Sequence, residues 1–222
     1  MDILETLAER GAVLTDHHFV YKSGKHGPHY INMDPVFPDT GLMYDICLEL
    51  GMQFNAYELT QLTIVGPATG GIPLAVLTAL ALGDERGVSQ WPAVVWADKA
   101  GEDDFVFERA GFIEQLDGKQ VLVVEDLLNT GDSVKKVIAQ ARLHGANVIG
   151  VSVICNRGSE TAESLGVPRL EALSSVDFQA FTPESCPLCA EQRPIVADIG
   201  HGSGYQQEHP DYPGGYVRLL AG

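Results

Sequence analysis

Apolar residues recur along the chain in two rhythms. Near the start, Ile3, Leu4, Leu7 and Ala8 share one side of a helical turn and Gly11 follows, which predicts a short amphipathic helix over residues 2–10. Leu42, Ile46, Leu50 and Phe54 repeat every four residues and predict a second helix over 41–57. The segment between them, 16–38, mixes histidines, prolines and glycines with short β-like runs such as His18-Phe19-Val20-Tyr21. It reads as an irregular subdomain rather than a buried layer.

From residue 62 the rhythm changes. Continuous apolar runs at 62–65, 93–96, 120–124 and 147–154 predict strands, and the periodic stretches 73–82 and 133–144 predict helices. Strands that are apolar on both faces and alternate with helices indicate an α/β fold: a parallel twisted sheet with helices on both faces. Ligands of such sheets bind beyond the carboxyl ends of the strands. After Arg157 the pattern weakens, and the tail is rich in Pro, Gly, Tyr and His. The expected organisation is a single domain over 1–222, with an N-terminal appendage (1–40), a core sheet (60–157) and a C-terminal extension (182–222).

Composition narrows the function classes. With 45% hydrophobic residues the 222-residue chain can fill a core. Its net charge of −16 argues against nucleic acid as a partner, because sequence-independent binding needs a basic face. The most apolar run, 72–82, is too short to span a bilayer and carries Pro73 and Thr78, so no membrane association is expected. The start, Met1-Asp2-Ile3-Leu4-Glu5, lacks the basic region of a signal peptide. A cytoplasmic protein is expected.

Of four cysteines, Cys47 and Cys155 stand alone in apolar stretches and read as free buried thiols. Cys186-Pro-Leu-Cys189 has the spacing of a metal or redox pair, but no second such pair follows. The downstream His201 and His209 fit no zinc module by spacing. A structural loop with two thiols is the expectation, with zinc left open. His17, His18, His26 and His29 read as surface or satisfied core residues. The run Gly200-His-Gly202-Ser-Gly204 has too little sequence after it, two prolines included, for the helix of a dinucleotide fingerprint.

The most informative segment is Val121-Leu122-Val123-Val124-Glu125-Asp126-Leu127-Leu128-Asn129-Thr130-Gly131-Asp132-Ser133. A buried strand ends in two adjacent carboxylates, and a turn with hydroxyls and a glycine leads into a helix. Backbone N–H groups at such a helix start make an anion site. The carboxylates suit a group with vicinal hydroxyls or one that becomes positive. A phosphate on the turn and a ribose over the acids describe a cradle for ribose 5-phosphate.

At these residues the chain resembles the type I phosphoribosyltransferases, whose motif for phosphoribosyl pyrophosphate (PRPP) is four apolar residues, two acids, two variable residues, Thr-Gly and a Ser or Thr. Val65-Gly66-Pro67-Ala68-Thr69-Gly70-Gly71-Ile72-Pro73 looks like that family's pyrophosphate loop. Within the superfamily the match is to orotate phosphoribosyltransferases. Phe19-Val20-Tyr21-Lys22-Ser23-Gly24-Lys25-His26-Gly27-Pro28-His29-Tyr30-Ile31 is similar to their N-terminal stretch, and Val151-Ser152-Val153-Ile154-Cys155-Asn156-Arg157-Gly158 to the strand that delivers an Asp-Arg pair.

The resemblance implies the type I fold with a small N-terminal hood, a homodimer, and transfer of 5-phosphoribosyl from PRPP to orotate with release of pyrophosphate. It implies that Thr130, Gly131 and Ser133, with Asn129, hold the 5-phosphate, with Lys22, Thr69, Gly70, Gly71 and Asp132 completing the PRPP site. Glu125 and Asp126 then face the ribose, and with Lys99 they form the expected catalytic set. Lys22, Thr130 and Arg157 are the expected orotate contacts. Mg²⁺ is the expected cofactor, brought with PRPP near Glu125 and Asp126 rather than held by a protein site of its own. Phosphoribosyl transfer to another base, or PRPP binding without catalysis, are the alternatives.

Several positions depart from the family pattern. Asn129 stands at a Thr position, Asp132 at a Gly or Ala position, Asn156 at an Asp position, and Gly70 where many relatives carry Lys. Residues 98–112, expected to form the mobile catalytic loop, offer Lys99 and Arg109 against Asp98, Glu102, Asp103, Asp104 and Glu108. That sum is −3 on a loop expected to meet a leaving dianion. A second reading of Asp103 and Asp104 is a pair that gathers Mg²⁺.

Overall fold

The computed structural model describes residues 2–54, 61–87, 91–101 and 104–220. The chain forms two compact units: residues 39–176, and a discontinuous unit made of 1–38 with 177–222. The N-terminal appendage and the C-terminal extension, expected as separate additions to one domain, thus belong to the same unit.

The discontinuous unit begins with α1 (Ile3–Glu9), whose first turn is capped by Asp2 accepting the Glu5 N–H at 3.1 Å. Four two-residue strands follow: β1 (Val13–Leu14), β2 (Phe19–Val20), β3 (His26–Gly27) and β4 (Tyr30–Ile31). They pair antiparallel as β1–β4 and β2–β3.

The second unit opens with α2 (Thr40–Met52), capped by Asp39. Expected residues 55–57 of this helix lie outside the described residues. β5 (Leu62–Pro67) and α3 (Gly71–Arg86) come next. α3 runs beyond the expected Leu82 because the polar turn Asp84-Glu85-Arg86 stays helical until Gly87 takes the left-handed conformation at φ 57°. β6 (Ala93–Ala100), β7 (Asp104–Val106), β8 (Gln120–Leu128), α4 (Asp132–Leu143), β9 (Asn147–Asn156), α5 (Ala162–Leu165) and β10 (Leu170–Ser175) complete it. The sheet order is β10-β9-β8-β5-β6-β7, parallel except for the antiparallel β6–β7 pair.

The expected parallel sheet with helices on both faces is present. Val121 and Val123 of β8, with Val151 and Val153 of β9, share a buried cluster with Val134, Val137, Ile138 and Ala141 of α4. On the other face Ser152 donates to the Leu50 carbonyl of α2 at 3.0 Å, and α2 packs closely on α3 where Gly51 meets Leu82. Alternate residues of one strand therefore serve opposite layers, which is why the strands read as unbroken apolar runs.

Residues 98–112 differ from the expected mobile loop. Asp98, Lys99 and Ala100 extend β6 and pair with Val106, Phe105 and Asp104 of β7. Phe105 and Phe107 are buried in the α4-side cluster, with Phe112 against it. These three aromatic side chains anchor a segment whose polar composition disguised it. Glu102 and Asp103 lie outside the described residues, and the Asp104 carboxylate accepts its neighbour's N–H, from Phe105, at 2.8 Å.

The chain then returns to the discontinuous unit through α6 (Pro187–Ala190), β11 (Ile195–Val196), α7 (Gly202–Glu208) and β12 (Tyr216–Val217). β11 pairs parallel with β12, and Val196 donates to the His18 carbonyl at 2.9 Å. Phe19, Val196 and Ile199 form one buried cluster, with Leu14, Tyr21, Tyr30, Val217 and Leu219 around it. A seven-residue helix does begin at Gly202, where none was expected, because Gly202 lies tightly against the Val196 backbone. Among the described residues no helix is long and apolar enough to cross a membrane.

Candidate active site

β8 is the central element of the site. Its apolar stretch fixes the backbone so firmly that the strand continues through Glu125 and Asp126 to Leu128. Glu125 is left buried and Asp126 half-buried. Local hydrogen bonds hold both acids: Glu125 Oε1 accepts the Asp126 N–H at 3.1 Å, and Asp126 Oδ1 accepts the Leu127 N–H at 2.6 Å. Burial, followed by the neighbouring Asp126 charge, raises the Glu125 carboxyl well above the ordinary carboxylate range. One acid of the pair is thereby biased to keep its proton.

The turn after β8 exposes Asn129 and Thr130 and reverses at Gly131, φ 71°, which lies directly before α4. That conformation is cheap only for glycine, and a Cβ there would also approach Leu165 Cδ2 at 2.8 Å. Thr130 donates its hydroxyl to Asp132 Oδ2 at 2.8 Å, so the acid that departs from the family pattern is engaged by the turn itself. Lys135 completes the cradle, donating to the Thr130 carbonyl at 2.9 Å and lying 3.0 Å from Glu160 Oε2. The sequence reading missed Lys135. Its signal was a cation at the start of a helix, where the dipole disfavours it unless an acid stands nearby.

The loop after β9 meets this turn. Gly158 lies so close to the Asn129 carbonyl that a Cβ would collide with it, and Arg157 donates its backbone N–H to the Leu128 carbonyl at 2.7 Å. Asn156 explains its own departure from the family's acid. Its Nδ2 donates to the Glu160 carbonyl at 2.9 Å while its Oδ1 accepts the Gly158 N–H at 3.2 Å. A carboxylate could make only the second of these bonds. Asn156 therefore fastens the 157–160 turn that carries Arg157.

On the other side, the loop after β5 folds back on itself at Gly66 and Gly71, where neither position has room for a Cβ. The Ala68–Thr69 peptide is cis. A Cβ on Gly70 would stand 3.6 Å from Asp126 Oδ2, so this bare stretch of backbone faces the second acid. The structure thus brings Gly70 to Asp126, and Arg157 to the end of β8 at Leu128.

Three cations considered from the sequence lie on other elements. Lys99 is exposed on β6, and Arg109 is held bidentately by Asp98 while its guanidinium lies 4.9 Å from the Trp96 ring centre. Lys22 belongs to the other unit, exposed on the β2–β3 turn that closes with Tyr21 N–H donating to the Lys25 carbonyl at 2.8 Å.

Comparison with known proteins agrees with this geometry. The phosphoribosyl transferase domain family matches residues 39–181. An orotate phosphoribosyltransferase of Caldanaerobacter subterraneus is 35% identical over 188 residues, 85% of this chain and 91% of the relative. One of Pelotomaculum thermopropionicum is 35% identical over 196 residues, 88% of this chain and 94% of the relative. Among solved structures, the orotate phosphoribosyltransferase of Aeropyrum pernix superposes with a TM-score of 0.58 at 29% identity, covering 78% of this chain and 93% of the other. With a family model over 39–181 and relatives 35% identical over most of both chains, the chain belongs to the phosphoribosyltransferase family.

Proposed function

We infer that the protein is an orotate phosphoribosyltransferase, transferring 5-phosphoribosyl from PRPP to a ring nitrogen of orotate and releasing pyrophosphate. The observation that carries this reading is the apposition of Gly70 to Asp126, which sets a backbone cradle for a diphosphate against a carboxylate suited to the ribose. The names of the relatives, at 32–35% identity over most of the chain, supply the acceptor.

In this mechanism the N–H groups and hydroxyls of 129–133 bind the 5-phosphate, and the glycine loop lets the diphosphate approach the backbone. Asp126 faces the ribose, where positive charge builds as the bond to pyrophosphate breaks. A carboxylate about 4–5 Å from that centre is worth roughly 3–4 kcal/mol at an effective dielectric near 20. Glu125, biased to hold its proton, can donate a hydrogen bond to a ribose hydroxyl. Arg157 offers a planar fork to the orotate carboxylate. Lys22 and Lys99 are the remaining cations assigned to the substrates.

The donor set also fits Mg²⁺. Asp126 would provide carboxylate oxygen, which this hard cation prefers, beside the open backbone at Gly70. Bound with PRPP, the ion neutralises the diphosphate for a protein of charge −16. We assign the active form to a cytoplasmic homodimer.

An ultraviolet assay with orotate, PRPP and Mg²⁺, repeated with uracil and purines, tests the reading. Consumption of orotate alone is expected. Turnover of another base would move the acceptor, and PRPP binding by calorimetry without product from any base would remove the catalytic claim.

A further inference from the structure

Four side chains of the discontinuous unit converge at a point that the phosphoribosyl chemistry does not use. His18 Nε2 and His26 Nδ1 lie 2.9 Å apart. Cys189 Sγ is 3.6 Å from His18 Nε2 and 3.3 Å from His26 Nδ1, and Cys186 Sγ is 3.7 Å from His18 Nε2. All four ligand atoms fall within 4.8 Å of one another. His18, His26 and Cys186 are buried, Cys189 is half-buried, and neither thiol is in a disulfide.

These separations are those of a tetrahedral metal site. Bonds of about 2.0–2.1 Å to nitrogen and about 2.3 Å to sulfur set N–S distances near 3.5 Å and an N–N distance near 3.3 Å. The three S–N distances bracket the first value, and the ring nitrogens need part by only a few tenths of an ångström to admit an ion.

The hydrogen bonding orients the rings in the same sense. His18 Nδ1 stands 3.0 Å from the Arg193 carbonyl, which can only accept, so the network assigns the ring proton to Nδ1 and leaves the Nε2 lone pair facing inward. A ligating histidine fixed through its other nitrogen by a backbone carbonyl is the usual outer support of a metal site. Without an ion, His26 must donate from Nδ1 to that lone pair, which leaves one inward lone pair between the two rings. With an ion, both inward lone pairs are used.

The chemistry selects the metal. Two thiols and two imidazoles with no carboxylate suit a borderline-soft cation rather than Mg²⁺ or Ca²⁺.

We propose that His18, His26, Cys186 and Cys189 form a structural Cys2His2 zinc site that clips the β2–β3 hairpin to the segment around α6. The four protein ligands close the coordination sphere, as in structural rather than catalytic zinc sites. The unit gives such a clip a use: its strands are only two residues long, so little ladder hydrogen bonding fastens the hairpin.

The test uses the untagged full-length chain purified under reducing conditions from zinc-supplemented medium. Metal analysis is expected to give about one zinc per chain. Replacing it with Co²⁺ is expected to give the visible bands of a tetrahedral thiolate site, and a strong chelator should lower the melting temperature. The double variant Cys186→Ser, Cys189→Ser should lose both the zinc and the cobalt spectrum. Because that variant could fail to fold, the cobalt titration of the unaltered chain decides independently. A zinc-free chain that takes up no cobalt, a double variant that keeps its zinc, or a Cys186–Cys189 disulfide in the protein as isolated would each overturn the proposal.

Discussion

Arg109 grips Asp98 through two parallel hydrogen bonds, Nε to Oδ2 at 2.8 Å and Nη2 to Oδ1 at 3.0 Å, across the base of the β6–β7 hairpin. The bond to Arg109 is the leading cause that holds the Asp98 carboxyl below its ordinary value, so the pair stays charged through the neutral range. The guanidinium is thereby spent on a neighbour instead of a diphosphate. Replacing Asp98 with Asn removes the negative charge and loosens one arm of the fork. The KM for PRPP should fall a few-fold in D98N at low salt, and the gain should shrink at high salt as the freed charge is screened. Arg109 is exposed and Asp98 partly so, so the melting temperature should barely move. An unchanged KM at all salt concentrations would show that Arg109 has no reach to the substrate.

Asp126→Asn keeps shape and removes charge at the acid that faces Gly70. A loss of roughly 3–4 kcal/mol of transition-state stabilisation corresponds to a kcat lower by about two to three orders of magnitude. PRPP affinity by calorimetry should change far less, because the ground-state ribose is neutral. A parallel loss in both quantities would reassign Asp126 to binding.

How much of this was legible beforehand follows from what each residue depends on. The 121–133 segment declared itself because strand, acids, turn glycine and helix are local and consecutive, and the structure brings Gly70 of the separate loop to Asp126 as that reading requires. Residues 104–112 did not, because Phe105, Phe107 and Phe112 are spread among acids and their burial comes from α4, more than twenty residues later. The Cys186–Cys189 pair was visible, but its partners were sought downstream at His201 and His209. His18 and His26 precede it by about 160 residues, a distance no spacing rule can bridge. Asn156 looked like a defect until its two hydrogen bonds to the 157–160 turn were seen.

Arg157→Ala should raise the KM for orotate tens- to hundreds-fold, since charge-assisted hydrogen bonds are each worth about 1.5–3 kcal/mol. The KM for PRPP should stay near its original value. Arg157→Lys should recover only part of the loss, because an ammonium cannot reproduce the planar fork. Equal damage to both substrates would argue that Arg157 supports the turn rather than the acceptor.

Glu125 gives a stability prediction with a definite sign. Burial raises its folded value above the ordinary 4.5, so the unfolded chain releases this proton at lower pH than the folded one. Stability contributed by the bound proton is full below about 4.5 and is lost as pH rises toward the folded value. Glu125→Gln should therefore melt higher than the unaltered protein at neutral and alkaline pH, while the two converge near pH 4. Each 1 kcal/mol gained corresponds to about 2–4 °C for a chain of this size. The same variant should turn over more slowly, and a flat difference in melting temperature from pH 4 to 9 would mean that the carboxyl is not desolvated.

The discontinuous unit also imposes an order of events during synthesis. Val196 bonds to His18, and β11 finds its own partner β12 only at Tyr216 and Val217. The central sheet has all its strands once Ser175 has been made, so it can assemble on the ribosome while the nascent hood is still waiting. Residues 13–31 thus precede the sheet in synthesis yet complete their packing after it, and through that interval Phe19 lacks Val196 and Ile199 as neighbours.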